Sequence, residues 1–140
     1  MEVATAEKLY KTSRNYLILG LALGVFYREF TKFNEYTGPT QLAVLHTHTL
    51  MLGMFFFLIL LVLEKLFRIS TAARFKLFYR FYNTGLGLTL LMMLIHGILT
   101  VLGKESGAAI SGIAGLGHIL LTVGLLLFFV SLHERIRSEG

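Results

Sequence analysis

The chain contains no cysteine, no aspartate and a single proline. Without cysteine there are no disulfides, no zinc–thiolate sites and no thiolate nucleophile. Its eight acidic residues are all glutamate, against thirteen Lys and Arg, which leaves a net charge of +5. That excess does not point to nucleic acid. The basic residues flank apolar runs and form no continuous stripe.

Apolar sequence fills the rest. Residues of hydrophobic type make up 55% of the 140 positions, and the mean hydropathy is +0.70, beyond ordinary soluble usage. The length suits one domain. Four stretches carry no charged side chain: Asn15–Tyr27, Tyr36–Leu63, Phe81–Gly103 and Ser106–His133. Crossing the hydrocarbon takes about 20 residues, and the last three stretches exceed that. The first is short, so Arg14 and Arg28 must snorkel or Arg28 must bind something internal. No small-residue cleavage site follows it, and it reads as an uncleaved anchor helix. Helices are expected at about 8–32, 39–66, 75–103 and 107–135, with Pro39 in the first turn of the second. Short connections make neighbours antiparallel. The expected fold is an all-α integral membrane four-helix bundle, up-down-up-down.

Charge sets the expected orientation. Lys8, Lys11, Arg14, Lys65, Arg68, Arg74, Lys76, Arg80, Arg135 and Arg137 fall on one side, and only Arg28, Lys32 and Lys104 on the other. The positive-inside rule then places both termini in the cytoplasm of a cell bounded by a plasma membrane.

Small residues (Gly20 and Gly24, Gly85 and Gly87, Ala108, Gly112, Gly115 and Gly117) punctuate helices one, three and four. They allow close approach of another helix or of a flat macrocycle. The Met54–Phe57 run of helix two reads instead as facing lipid or another subunit. Helices two and four share a pattern, His48 followed by Glu64-Lys65 and His118 followed by Glu134-Arg135, with one glycine between (Gly53, Gly124). This hints at a two-plus-two repeat; helices one and three match poorly.

Four of the five histidines lie inside apolar helices, where ionisable residues default to a functional role. His48, His96 and His118 each lie sixteen residues from a charged residue at the inner boundary: Glu64, Arg80 and Glu134. At ~1.5 Å per residue each is roughly 24 Å above it, in one layer near the outer face. His46 is slightly higher. It is two positions from His48, so the two imidazoles point about 200° apart and serve different neighbours. Zinc wants three or four convergent ligands, and Glu29 is the only carboxylate near this layer. Haem needs one or two axial imidazoles and a slot for its ring. His48 with His118 is the first pairing, His96 with either the second. Met92 and Met93 below His96 are core residues or weak ligands. Arg28 suits a haem propionate or an ion pair with Glu29 or Glu35. Tyr27 and Tyr36 fit an interfacial belt.

The stretch His46–Gly53 reads His-Thr-His-Thr-Leu-Met-Leu-Gly. It resembles the His-x-His-x-x-x-Leu-Gly helix of haem-copper oxidase subunit I, particularly the cbb3 type. That resemblance covers eight residues and implies that His46 and His48 ligate haem. The chain lacks the adjacent histidine pair that those oxidases use for copper, so oxygen reduction is not implied. Subunit I is built from three four-helix arcs, which a chain of this size could match only as a homotrimer. End to end, including Val25–Thr31, His46–Phe57 and Gly112–His118, the chain resembles a small bacterial membrane family known only as a domain of unknown function.

The expected cofactor is a b-type haem, with copper as second choice, and the expected metal ligands are His48, His118 and His46. Expected partners are the lipid bilayer, further copies of the chain and an unidentified redox partner. The function expected is electron transfer, gas sensing or haem handling, with no substrate indicated. A metal or proton transport element lined by histidines is one alternative. A structural accessory subunit of a membrane complex is another.

Overall fold

The computed structural model describes residues 2–138, with side chains from residue 5. Four long helices account for nearly all of it: α1 (Glu2–Phe33), α2 (Leu42–Phe67), α3 (Phe75–Val101) and α4 (Ala108–Ser138). The four expected helices are present; three limits shift by three residues or more, including the end of α4, which runs to Ser138 and not 135. α1 begins six residues earlier, and α2 begins at Leu42, not at Pro39. Thr40 explains the later start: its hydroxyl donates to Gly97 O (3.1 Å) and receives the Leu42 N–H (3.3 Å).

α2, α3 and α4 are long and apolar enough to cross a membrane, and the chain is a membrane protein. α1 is not one of these three. Charges at Glu7, Lys8, Lys11 and Arg14, then Arg28, Glu29 and Lys32, confine its apolar part to the middle. That middle is nonetheless greasy on its outer side, with Ile18, Leu21 and Val25 exposed.

α2 and α3 form the centre, α1 packs along α2, and α4 packs along α3. α4 also meets α2 through the segment Phe56–Phe67. Between apolar helices in lipid there is no hydrophobic driving force, so close packing and hydrogen bonds hold the bundle together. A methyl group at Gly85 would lie 2.5 Å from Leu121 N, and one at Gly124 would lie 2.9 Å from Tyr82 Cα. Those glycines let α3 and α4 backbones touch. Gly20 admits the Leu50 side chain to α1 in the same way.

α2 is not α-helical throughout. Thr49–Phe55 is a π-helical turn, which no feature of the sequence announces. A π turn displaces backbone carbonyls from their usual donors. Two side chains catch them here: Ser13 Oγ donates to Met54 O and Tyr82 OH to Leu52 O, both at 2.8 Å. Gly53 lies against the Tyr16 ring.

Just beyond that turn the Phe run departs from the lipid-facing expectation. Phe57 is fully buried and Phe56 stacks on Tyr82 at 4.3 Å. Phe78 and Phe128 close the cluster around Phe56. Phe55 keeps to the expectation and is half exposed. Four consecutive residues on a helix cannot share one face, so part of the run had to turn inward.

At the end of α2 that leads into the α2–α3 connection, Glu64 is completely buried. It accepts bonds from Ser70 N (2.8 Å) and Ser70 Oγ (2.6 Å). Arg68 adopts a left-handed conformation (φ 49°) to end α2. Glu134 Oε1 receives the Ala73 N–H (3.2 Å), and Arg135 Nε donates to Phe67 O (3.0 Å). One connection thus anchors the inner ends of both α2 and α4.

Gly85→Val should destabilise the bundle by about 3 kcal/mol through overpacking at a backbone contact. Gly115→Val should be close to neutral, because nothing lies within 4 Å of its added methyl. Thermal unfolding in mild detergent measures both, and equal losses would contradict the packing described.

Candidate functional site: the histidine layer

The two hairpins bring their histidines to the half of the bundle away from the α2–α3 connection, in two different postures. His48 and His118 are exposed on the outside of α2 and α4. Each ring turns back on its own helix. His48 Nδ1 lies 2.8 Å from Val44 O, and His118 Nδ1 lies 2.9 Å from Ala114 O. A carbonyl only accepts, so each Nδ1 carries the proton and each Nε2 is left with a bare lone pair. A metal-ligating histidine is commonly held this way, its far nitrogen bonded to a backbone carbonyl and its near one free.

His46 and His96 are partly buried, and the Nδ1 of each has no hydrogen-bond partner among the described residues. His46 faces α1, where a methyl at Gly24 would touch its ring at 3.7 Å. This is the divergence from His48 that a two-residue helical spacing requires. His96 borders an outer groove of about 450 Å³ lined also by Thr100, Lys104, Glu105 and Ser106. Thr89 was not foreseen. It is 3% exposed, its hydroxyl has no partner among the described residues, and it lies two turns from His96 on the same face of α3. Only its place in an apolar helix could have flagged it.

No hydrogen bond joins any two of the four histidines among the described residues. Nor do three or more His or Glu side chains gather there to hold a metal ion. A three-ligand ion site is therefore not built within the described residues of one chain. Haem asks for less, one or two imidazoles and room for a ring. The surface of α4 on the outer side of His118 is Ser111, Gly112 and Gly115, all exposed, with open space at both glycines. That leaves room for a flat ring against the helix.

Arg28 is 80% exposed, with Nε 3.7 Å from Glu29 Oε1. So loose a pair at the surface contributes little and leaves the guanidinium donors available. Met92 is buried and Met93 packs against the core, the packing role rather than the ligand role.

The sequence profile of a family described as a protein of unknown function (DUF2871) matches residues 6–135. No curated protein and no solved structure matches. The oxidase resemblance accordingly rests on its eight residues alone.

In ¹⁵N spectra of histidine-labelled protein, His48 and His118 should appear as the Nδ1–H tautomer, since a carbonyl faces each Nδ1. Nε2–H signals at both would contradict this geometry.

Proposed function

The chain belongs to the DUF2871 family, proteins of unknown function, and we propose that this member is a haem-binding membrane protein whose axial imidazoles are His48 and His118. The observation that carries the reading is their shared posture. Each is exposed, each Nδ1 lies against a carbonyl of the preceding turn, and no hydrogen bond reaches either Nε2 among the described residues. Leaving such a nitrogen in hydrocarbon without a partner is costly. A metal relieves that cost.

Bound haem would supply one-electron iron chemistry. The chain's residues do the rest. The two backbone carbonyls hold the imidazoles in the ligating tautomer. Ser111, Gly112 and Gly115 leave room for the ring. Arg28 is free to meet a propionate near the outer surface. If both histidines held the iron, no place would be left on it for a gas, so electron transfer is the function we favour over gas sensing. A b-type haem is the cofactor proposed, since there is no cysteine to bond it covalently.

We also propose that α1 crosses the bilayer beside α2, with Arg14 and Arg28 snorkelling, and that the chain sits in a bacterial plasma membrane. Both termini then lie in the cytoplasm, on the side with ten of the thirteen basic residues.

One observation favours a second reading. His46 Nδ1, His96 Nδ1 and Thr89 Oγ1 are buried without partners, and His96 lies beside the outer groove. Buried polar atoms of this kind call for water, as a proton or metal path would provide. That reading predicts transport in liposomes by a colourless protein.

Visible spectra separate the two. The purified protein should show a Soret band and sharp α and β bands after dithionite, unchanged by carbon monoxide. His48→Ala or His118→Ala should abolish the six-coordinate spectrum; its survival in both would remove these ligands from consideration. For orientation, the chain has no native cysteine, so single cysteines report cleanly. Lys104→Cys should react with an impermeant maleimide in whole cells and Ser138→Cys should not; the reverse pattern would invert the topology.

A further inference from the structure

We propose that the haem is shared between chains, His48 of one copy and His118 of a second copy binding opposite faces of one ring. This rests on the haem reading above and states where the second ligand comes from.

Within one chain both imidazoles point out of the bundle. His46 is seated on α1, so His48, about 200° around the helix, is turned away from α1. α4 meets α2 through Phe56–Phe67, below the level of His48. Both histidines stand sixteen residues from a glutamate that binds the same inner connection, Glu64 through Ser70 and Glu134 through Ala73. Both therefore lie far from that connection and at similar levels, α2 being somewhat shortened by its π-helical turn, and two copies side by side in a bilayer present them near one height.

Lipid tails offer a bare imidazole nitrogen nothing. A second copy carries the matching group. The two faces that bear these histidines are also unlike. Around His48, α2 is bulky, with Val44, Met51 and Phe55 each about half exposed. Outside His118, α4 is small and open at Gly112 and Gly115. Unlike faces that fit one another associate head to tail, and such contacts repeat until a ring closes. Each interface of the ring then holds one His48 and one His118, and no imidazole is left facing lipid. A homotrimer is such a ring.

The test is complementation. His48→Gln and His118→Gln chains carry different tags, are co-expressed, and oligomers holding both are isolated by tandem purification. The wild-type spectrum is the reference, and His→Ala versions of both chains guard against a folding defect of either substitution. Each variant alone should lack the bis-imidazole α band. Mixed oligomers should regain it at about a third of the wild-type intensity, because a closed three-membered ring that holds both chains has one interface in three with both ligands intact. No regain in oligomers that contain both chains would assign the ligand pair to a single chain, overturning the sharing while the haem reading stands. Persistence of the full band in either variant alone would also overturn it. A wild-type protein that stays colourless when supplied with haem would overturn both.

Discussion

The π-helical turn at Thr49–Phe55 is the constraint on which the rest of this structure depends. Backbone carbonyls in a bilayer have no water to turn to. A turn of the wrong pitch is stable only where something else supplies donors. Ser13 from α1 and Tyr82 from α3 do so, at Met54 and Leu52. These two bonds pin α1, α2 and α3 at one level. They also fix how far α2 is rotated on each side of the turn. Below it, Phe56 and Phe57 rotate into the aromatic cluster. Above it, His46 meets Gly24 while His48 faces out. The orientation of His46 and His48 is thus set several residues away, by a serine and a tyrosine bonded to the turn that follows them.

The two halves of the chain solve their packing problem alike. In the first hairpin Tyr16 covers Gly53 and Gly20 receives Leu50; in the second Tyr82 covers Gly124 and Gly85 receives the Leu121 backbone. Glu64 and Glu134 both end on the connection between the halves. The sequence hint of a repeat came from the second helix of each pair. The contact scheme extends the likeness to α1 and α3, whose residues matched poorly when read alone. Gly–aromatic and Gly–aliphatic contacts can be preserved while the surrounding apolar residues drift, because many side chains fill lipid-facing positions equally well.

How much could be read from the sequence follows from this same physics. Helix number and limits were legible, because charge clusters, Pro39 and the glycine-bearing connections interrupt the apolar runs. The divergence of His46 from His48 was legible, because two positions on any α-helix face nearly opposite ways. Facing was not. In a bilayer the interior of a bundle is no more apolar than its exterior, so hydropathy cannot tell Phe55 from Phe57, or say that His118 looks outward. The π turn left no trace because its cause, donors on α1 and α3, is tertiary. Glu64 was taken as a boundary marker, and its burial depends on Ser70 folding back beneath it. α1 divides the two views most clearly. Length marks it as a spanning helix, composition does not, and its exposed Ile18, Leu21 and Val25 supply the greasy side that an average conceals.

Hanging α2 and α4 from one inner connection has a consequence for the membrane the protein inhabits. Bilayers differ in thickness by several ångströms, and helices answer by tilting. Two helices anchored at separate points could tilt by different amounts and slide their outer halves past each other. Here Glu64 and Glu134 tie both to residues 70–73, so a thicker or thinner bilayer moves His48 and His118 together. Their heights relative to the lipid change, and their heights relative to each other do not.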